Sequence, residues 1–180
     1  MKPKSAEATL IINSPLGKLL AKASETGICS FEFEDVRKPL SELPEILFDE
    51  KKNKHLLKLQ KQVAEYFSGN RKYFDLALEP NGTIFQQKVW NELLKIPFGK
   101  TRTYKEQSIA VGDLKAIRAV ATANGANPIA IIIPCHRIIG TDGSLTGYAG
   151  GLLRKKWLLE FEYDNSSKEK QLSLMEEFDK

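Results

Sequence analysis

The chain has 180 residues, of which 42% are hydrophobic, and its formal net charge is +4. This length accommodates one large domain or two small ones, and no apolar run approaches the roughly 20 residues of a membrane-spanning helix. The N-terminus has no signal-peptide pattern, and the two cysteines and two histidines form a four-ligand zinc site only if all of them are ligands. We therefore expect a cytoplasmic protein with reduced thiols and neither a metal nor a cofactor.

The positive charge is concentrated in the second half of the chain. Residues 81–162 contain 11 Lys and Arg against 6 Asp and Glu, whereas residues 1–80 contain 13 against 12. Residues 163–180 have a net charge of −2. A basic half indicates a polyanionic partner, and a basic surface without any partner is the alternative interpretation.

The first 80 residues predict a small mixed α/β domain. Short alternating segments separated by Gly and Pro are typical of an antiparallel meander, and a 3–4 residue apolar spacing is typical of a helix. The predicted elements are strands at Ala8–Asn13, Leu19–Ser24 and Ile28–Glu34, a loop at Pro39–Pro44, a helix at Lys52–Phe67 ending at Gly69, and a further strand at Tyr73–Leu78.

The segment Glu79–Thr83 has the composition of a linker, and it divides the prediction into a domain at 1–80, a domain at 81–163 and a charged tail at 164–180. The second domain begins with a helix that Thr83 caps and that stops before Pro97. Two more helices, Tyr104–Ala110 and Leu114–Asn124, follow around a glycine turn. Helix, turn and helix in this order predict a helix-turn-helix motif, although any small helical domain can contain such a pair.

The last of these helices has two distinct faces. One face is an apolar stripe, and the other has small residues beside a single long cation, which would allow close approach to a DNA groove. Tight packing between helices explains the small residues equally well. The apolar stripe is Leu114, Ile117 and Ala121, and the second face is Ala119, Thr122, Ala123 and Ala126, flanked by Arg118.

The most informative segment is Pro134-Cys135-His136-Arg137, which follows the apolar run Ile129–Ile133. We predict a strand for the run and a turn after Pro134 that brings the cysteine and histidine together. Only a thiolate is a good nucleophile, and imidazole and guanidinium groups favour ionisation of a neighbouring thiol. Isolated cysteines are more often small buried hydrophobic residues, and we interpret Cys29 in that way and His55 as solvated.

A glycine-rich loop, Gly143–Gly151, follows the cysteine and leaves backbone donors free to close over a flat ligand. The final predicted helix, Leu152–Glu162, has Leu158 and Leu159 on the same face as Glu162. A carboxylate on a buried face needs a partner, and a histidine is well suited. Cysteine, histidine and glutamate then match the pattern of nucleophile, base and orienting group.

Six motifs, in this order and at this spacing, resemble the O6-alkylguanine-DNA alkyltransferase family, that is, the methylated-DNA–protein-cysteine methyltransferases. The resemblance is strongest over residues 83–162. It implies a ribonuclease H-like N-terminal domain and a mostly helical C-terminal domain that contains the reactive cysteine. The motifs are Phe85–Trp90, Ile96–Lys100, Arg118–Val120, Ala126–Pro128, Ile133–Arg137 and Gly147–Leu152.

The resemblance also implies a role for individual residues. Cys135 would accept the alkyl group, and His136 would take its proton through a water while Glu162 orients the ring. Asn127 would brace the turn, and Tyr104 would contact the edge of the base. The residues implied in DNA binding are Arg118, which would fill the space of the flipped nucleotide, Ala119, Thr122 and Ala123 on the same helix, and Gly147, Tyr148, Ala149 and Gly150 around the base.

The implied activity is irreversible transfer of an alkyl group to the protein's own cysteine, so each molecule would act once. The implied partner is duplex DNA containing O6-alkylguanine, with O4-alkylthymine as a second candidate, bound by a monomer that is nucleoid-associated if the source is bacterial. The chain lacks the zinc ligands of some members, and it has Ala130 where some have a proline. The alternatives are a non-enzymatic alkyltransferase-like DNA binder, a Cys-His-Glu thiol hydrolase and a helix-turn-helix regulator.

Overall fold

The computed structural model describes residues 8–34 and 53–178, with side chains up to residue 166. The predicted α+β class is confirmed. The described residues divide into two compact units. The first comprises the residues up to Gln87 together with the segment Asn127–Ile133, and the second comprises Lys88–Ala126 and the residues from Pro134 onward. The division into 1–80, 81–163 and 164–180 remains a prediction. No helix among the described residues is long and apolar enough to cross a membrane.

The first unit contains an antiparallel three-stranded sheet, β1 (Ala8–Ser14), β2 (Gly17–Ala23) and β3 (Ile28–Phe33), as the alternating sequence predicted. Every second residue of β2 from Leu19 onward is buried, so one face of the sheet forms a core. Helix α1 (Lys54–Phe67) contributes Leu56, Leu59, Val63 and Tyr66 to the buried set. Its N-terminus is capped by the side chain of Asn53.

Two predictions for this unit are wrong, and a third cannot be checked. Tyr73–Leu78 is not a strand, since only Leu78 forms an isolated bridge, with Ile28. Cys29 is half-buried rather than a core residue, because it alternates with the buried Ile28 on β3 and so lies on the opposite face. The predicted loop Pro39–Pro44 lies outside the described residues.

The predicted strand Ile129–Ile133 is also wrong, because the segment folds into a buried turn. Ile129 forms an isolated parallel bridge with Phe31, after which the Ile133 amide donates to the Ile129 carbonyl over 3.0 Å. Ile131 has a φ of 70°, a region that β-branched residues rarely adopt. Asn127 holds the turn closed, since its side chain accepts from the Ile129 amide (3.0 Å) and donates to the Ile133 carbonyl (2.8 Å).

The second unit contains the predicted helix-turn-helix. Helix α2 (Ile84–Leu93) starts in the first unit and ends in the second. It is followed by β4 (Arg102–Thr103), α3 (Tyr104–Val111), a short 3-10 turn and α4 (Ile117–Gly125). The turn after α3 uses Gly112 with a φ of 99°, which glycine adopts without steric cost.

The predicted apolar stripe on α4 is wrong, because the buried residues of this helix are Val120, Ala123 and Asn124. Leu114 and Ile117 are exposed instead. Leu114 lies in the preceding 3-10 turn, Leu114–Ala116, and Ile117 and Ala121 lie on a side of α4 next to the buried one, so apolar spacing alone did not locate the buried face.

Strand β5 (Ile138–Ile139) pairs in parallel with β4, with Arg102 opposite Ile138 and Thr103 opposite Ile139. This short ladder places the first residue of α3, Tyr104, beside the chain that leaves the Cys135 turn. Helix α5 runs from Leu152 to Phe178, well beyond the predicted end at Glu162. No Gly or Pro follows Gly151, so the sequence contains no residue that would end the helix there.

Candidate active site

Cys135, His136 and Arg137 form a single 3-10 turn immediately after Pro134, as the sequence predicted. The turn is closed by a hydrogen bond of 3.0 Å from the Arg137 amide to the Pro134 carbonyl. All three side chains are buried, with exposed fractions of 7%, 0% and 6%. Buried polar side chains in a turn need partners nearby, and helix α5 provides the main one.

That partner is Glu162, a fully buried carboxylate that accepts four hydrogen bonds. Its Oε1 accepts from His136 Nε2 (2.9 Å) and from Arg137 Nη2 (2.8 Å). Its Oε2 accepts from Arg137 Nε (2.8 Å) and from the amide of Gly99 (3.1 Å). The predicted pairing of His136 with Glu162 is therefore present, and Arg137 adds a bidentate ion pair to it.

The electrostatics favour an ionised glutamate beside a neutral histidine. Burial alone would raise the pKa of Glu162, but His136 and the two bonds from Arg137 hold it well below its usual range. Burial lowers the pKa of His136, and the attraction of Glu162 only partly opposes this. Because Arg137 is always charged, the glutamate stays ionised whether or not the histidine is protonated.

An ionised carboxylate only accepts hydrogen bonds, so the Nε2 of neutral His136 must carry the ring proton. The lone pair then lies on Nδ1, which is buried and has no hydrogen-bond partner among the described residues. This arrangement produces a basic nitrogen one residue from the thiol of Cys135. Glutamate, histidine and cysteine can therefore act as orienting group, base and nucleophile.

A second group of contacts joins Tyr104, the glycine-rich loop and helix α5. The hydroxyl of Tyr104 donates to the Thr146 carbonyl over 3.2 Å. The same carbonyl accepts from Lys155 Nζ at 2.6 Å, and Lys155 is wholly buried. Burial lowers the pKa of Lys155 to about 8, which the charge of Cys135 as a thiolate opposes.

Another residue of the glycine-rich loop, Tyr148, contacts the histidine ring. The ring of Tyr148 meets that of His136 edge to face, with centroids 6.4 Å apart. Its hydroxyl is buried and has no partner among the described residues, and burial raises the pKa of Tyr148 well above its usual range. Ala149 is exposed and Gly150 is half-buried, so the backbone of this segment is accessible to a ligand.

Asn127 belongs to the first unit, and its contacts there are those of a bracing residue. Both polar atoms of its side chain bond to the turn, and the carbonyl that it holds is that of Ile133, two residues before Cys135 in the sequence. These contacts are the basis for the bracing role, which stays a prediction.

The predicted DNA-binding face is partly present on α4. Arg118, Ala119 and Thr122 are exposed. Ala123 does not belong to this face, because it is 2% exposed and its carbonyl accepts from the indole of Trp90 at 2.8 Å. The remaining residues keep their predicted role as an expectation.

Sequence reasoning missed three features of this unit. Arg137 was assigned only a general effect on the thiol, and its bonds to Glu162 were not foreseen. Lys155 was overlooked, although it precedes Leu158 by three residues and Glu162 by seven, which is a helical spacing. Leu159, which was expected on this face, is half-buried. The side chains of Gln107 and Asn124 form a reciprocal pair of buried hydrogen bonds, of 3.0 and 2.7 Å, between α3 and α4.

The described residues contain no group of three His, Cys, Asp or Glu side chains placed to hold a metal ion.

Comparison with known proteins gives a consistent result for both halves of the chain. Residues 9–80 match the ribonuclease-like domain of 6-O-methylguanine DNA methyltransferase, and residues 84–164 match its DNA-binding domain. A methylated-DNA–protein-cysteine methyltransferase of Methanosarcina barkeri is 48% identical over 155 residues, which is 86% of this chain and 96% of that protein.

Solved structures agree with these matches. The O6-methylguanine methyltransferase of Mycobacterium tuberculosis is 39% identical with a TM-score of 0.76, covering 88% of this chain and 93% of that one. A complex of the M. tuberculosis OGT with DNA has a TM-score of 0.75 at 40% identity, covering 86% and 92%. The chain therefore belongs to the 6-O-methylguanine DNA methyltransferase family, whose members repair DNA by transferring an alkyl group to a cysteine of the protein.

Proposed function

We propose that the chain removes an alkyl group, with methyl as the simplest case, from O6 of guanine in duplex DNA and binds it covalently to Cys135. The observation that carries this proposal is the buried arrangement of Cys135, His136, Arg137 and Glu162. In this arrangement a basic imidazole nitrogen lies in the same turn as a thiol. The turn is held in place by the Glu162 carboxylate, which accepts four hydrogen bonds. Family membership supports DNA as the partner.

The transfer is a displacement at carbon. His136 takes the proton of the thiol at Nδ1, and Glu162 stabilises the resulting imidazolium because its charge is already fixed by Arg137. The sulfur of Cys135 then bonds to the alkyl carbon as the bond from that carbon to O6 breaks. The electron pair of the broken bond stays on the guanine, and Tyr104 donates a hydrogen bond to the edge of the base to stabilise it.

Reaching O6 requires the nucleotide to leave the stacked duplex, which costs a few kcal/mol. Arg118, at the start of α4, is exposed and can enter the space that the nucleotide leaves. Ala119 and Thr122 permit a close approach of this helix to the groove. The segment 147–150 would then enclose the base on the protein side.

The product is a thioether, which water does not cleave under cellular conditions, so each protein molecule acts once. A monomer suffices for this reaction, since a single chain supplies all the side chains named above. A reducing compartment such as the cytoplasm would keep the acceptor thiol available, and neither Cys29 nor Cys135 forms a disulfide bond.

The test is an intact-mass measurement after incubation with duplex DNA containing O6-methylguanine. We expect each molecule to gain one methyl group in place of the thiol hydrogen, located on Cys135 by peptide mapping. Cys135→Ser should bind DNA without gaining mass, and Cys29→Ser should react normally. Binding without a mass gain in the parent would indicate a non-enzymatic binder, and repeated turnover without a mass gain would indicate a hydrolase; both would refute the proposal.

A further inference from the structure

Lys155 is a buried cation that the mechanism above does not use. It lies on α5, seven residues before Glu162, and its side chain is fully enclosed. Its ammonium donates to two backbone carbonyls of the glycine-rich loop, Thr146 at 2.6 Å and Gly147 at 3.4 Å. Burying an ammonium group is costly unless it is hydrogen-bonded, and these two bonds offset part of that cost.

The carbonyl of Thr146 is shared between Lys155 and Tyr104. The Tyr104 hydroxyl donates to it over 3.2 Å, and the Lys155 ammonium lies 6.0 Å from the centroid of the Tyr104 ring. The loop comes so close to the hydroxyl that a Cβ at residue 147 would lie 3.1 Å from it, and Gly147 has a φ of 53°. The Thr146 carbonyl is therefore the nearer acceptor of the Tyr104 hydroxyl, and the Gly147 carbonyl lies farther away, at 3.5 Å.

This sharing matters because Tyr104 must change partner during the reaction. Its hydroxyl has one proton to donate, and it cannot give that proton both to Thr146 and to the edge of a base. When the hydroxyl turns to the base, the Thr146 carbonyl loses one donor. This carbonyl faces the enclosed ammonium of Lys155, and the loss of its last donor there would be penalised, which would oppose the change.

We propose that Lys155 is a positioning residue for Tyr104, which keeps the Thr146 carbonyl paired and in place while the tyrosine hydroxyl moves from that carbonyl to the base. This inference rests on the proposed function. It assigns Lys155 no contact with the alkyl group, and no proton of Lys155 is transferred. Its effect is to lower the free energy required for Tyr104 to stabilise the departing guanine.

A double-mutant cycle tests this assignment. Single-turnover methyl transfer from O6-methylguanine duplex is measured for the parent, Lys155→Met, Tyr104→Phe and the double variant. We expect each single variant to be slower by about tenfold or more, the order expected from losing one hydrogen bond. The double variant should be within about threefold of the slower single variant, because both changes remove the same interaction. Losses that multiply would overturn the proposal.

The neighbouring Lys156 is the matched control. It is exposed and pairs with Glu160 over 3.7 Å on the surface of the same helix. Lys156→Met should therefore transfer methyl groups at nearly the parent rate. If Lys155→Met does not fold, Lys155→Leu, which also removes the donor to the Thr146 carbonyl, replaces it in the cycle with the same two outcomes.

A second measurement separates positioning from a direct effect of the Lys155 charge on the thiol. Iodoacetamide modifies Cys135 without a bound nucleobase and without Tyr104, and the rate of this reaction is followed by peptide mass. We expect Lys155→Met to change this rate by no more than about threefold. A loss as large as that in methyl transfer would show that Lys155 acts on Cys135 and would refute the role in positioning Tyr104. Absence of methyl transfer in the parent would instead refute the proposed function.

Discussion

Replacing Glu162 by glutamine tests both the stability and the chemistry of the site. The carboxylate accepts four hydrogen bonds, from His136, from Gly99 and twice from Arg137. A glutamine oxygen can accept only the two bonds on one side, and its amide nitrogen would face two donors on the other. Arg137, which is 6% exposed, would also lose its counter-charge.

The expected loss can be estimated from this geometry. Removing one partner of a buried ion pair typically costs about 3–5 kcal/mol of the free energy of unfolding. For a chain of this size the melting temperature should fall by about 6–20 °C. If the glutamine amide faces His136 Nε2, the histidine can avoid two donors meeting by carrying its proton on Nδ1 instead. Nδ1 then has no lone pair with which to accept the proton of the Cys135 thiol. Methyl transfer should therefore slow by at least about 100-fold.

The stability change has a predicted pH dependence. The pKa of Glu162 in the native state lies well below its ordinary value of 4.5. The ionised carboxylate therefore stabilises the fold fully at pH values above 4.5. This contribution is lost as the pH falls from 4.5 towards the lower pKa of the native state. The difference in free energy of unfolding between the parent and Glu162→Gln should therefore narrow from about pH 6 to about pH 3.

The assays are urea unfolding at several pH values and single-turnover methyl transfer at neutral pH. Glu160→Gln is the matched control, because Glu160 is exposed on the same helix and pairs only with Lys156 at 3.7 Å. Its effect on the free energy of unfolding should be within about 0.5 kcal/mol. If Glu162→Gln cost less than about 1 kcal/mol, or if its effect did not depend on pH, the account of the buried carboxylate would be wrong.

Further predictions concern DNA, pH and the backbone. Arg118→Ala should impair single-turnover repair of duplex DNA more than reaction with free O6-benzylguanine, and a mispaired duplex should partly restore the rate; equal losses on all three substrates would contradict the flipping role. Affinity for duplex should fall steeply with salt in a titration, since phosphate contacts dominate binding, and a flat dependence would argue against them. Because burial holds the pKa of His136 below its usual 6.5, the transfer rate should decline only as the pH falls under about 6.5, and a decline that begins in alkaline solution would point to another base. Gly99→Ala should lower the free energy of unfolding by more than about 1 kcal/mol, because φ is 69° and the new Cβ would lie 2.6 Å from Ser166 Cβ; Gly125→Ala, with nothing within 4 Å, should not.

The sequence by itself determined the features that depend on local pattern. The three strands of the first unit, the glycine turn of the helix-turn-helix and the turn after Pro134 were all predicted from alternation, glycine and proline. The pairing of His136 with Glu162 also followed, since a carboxylate on the buried face of a helix requires a partner. The six motifs identified the family because their order and spacing are specific.

The tertiary structure decided which side chains share a partner. The apolar run Ile129–Ile133 looks like a strand, yet the bonds that Asn127 makes to its ends close it into a turn. No local pattern shows that Arg137 and His136 bond to the same carboxylate, or that Lys155 and Tyr104 bond to the same carbonyl. These hydrogen bonds join residues 9 to 42 positions apart in the sequence, so they arise from the packing of helices and loops and not from the propensity of any segment.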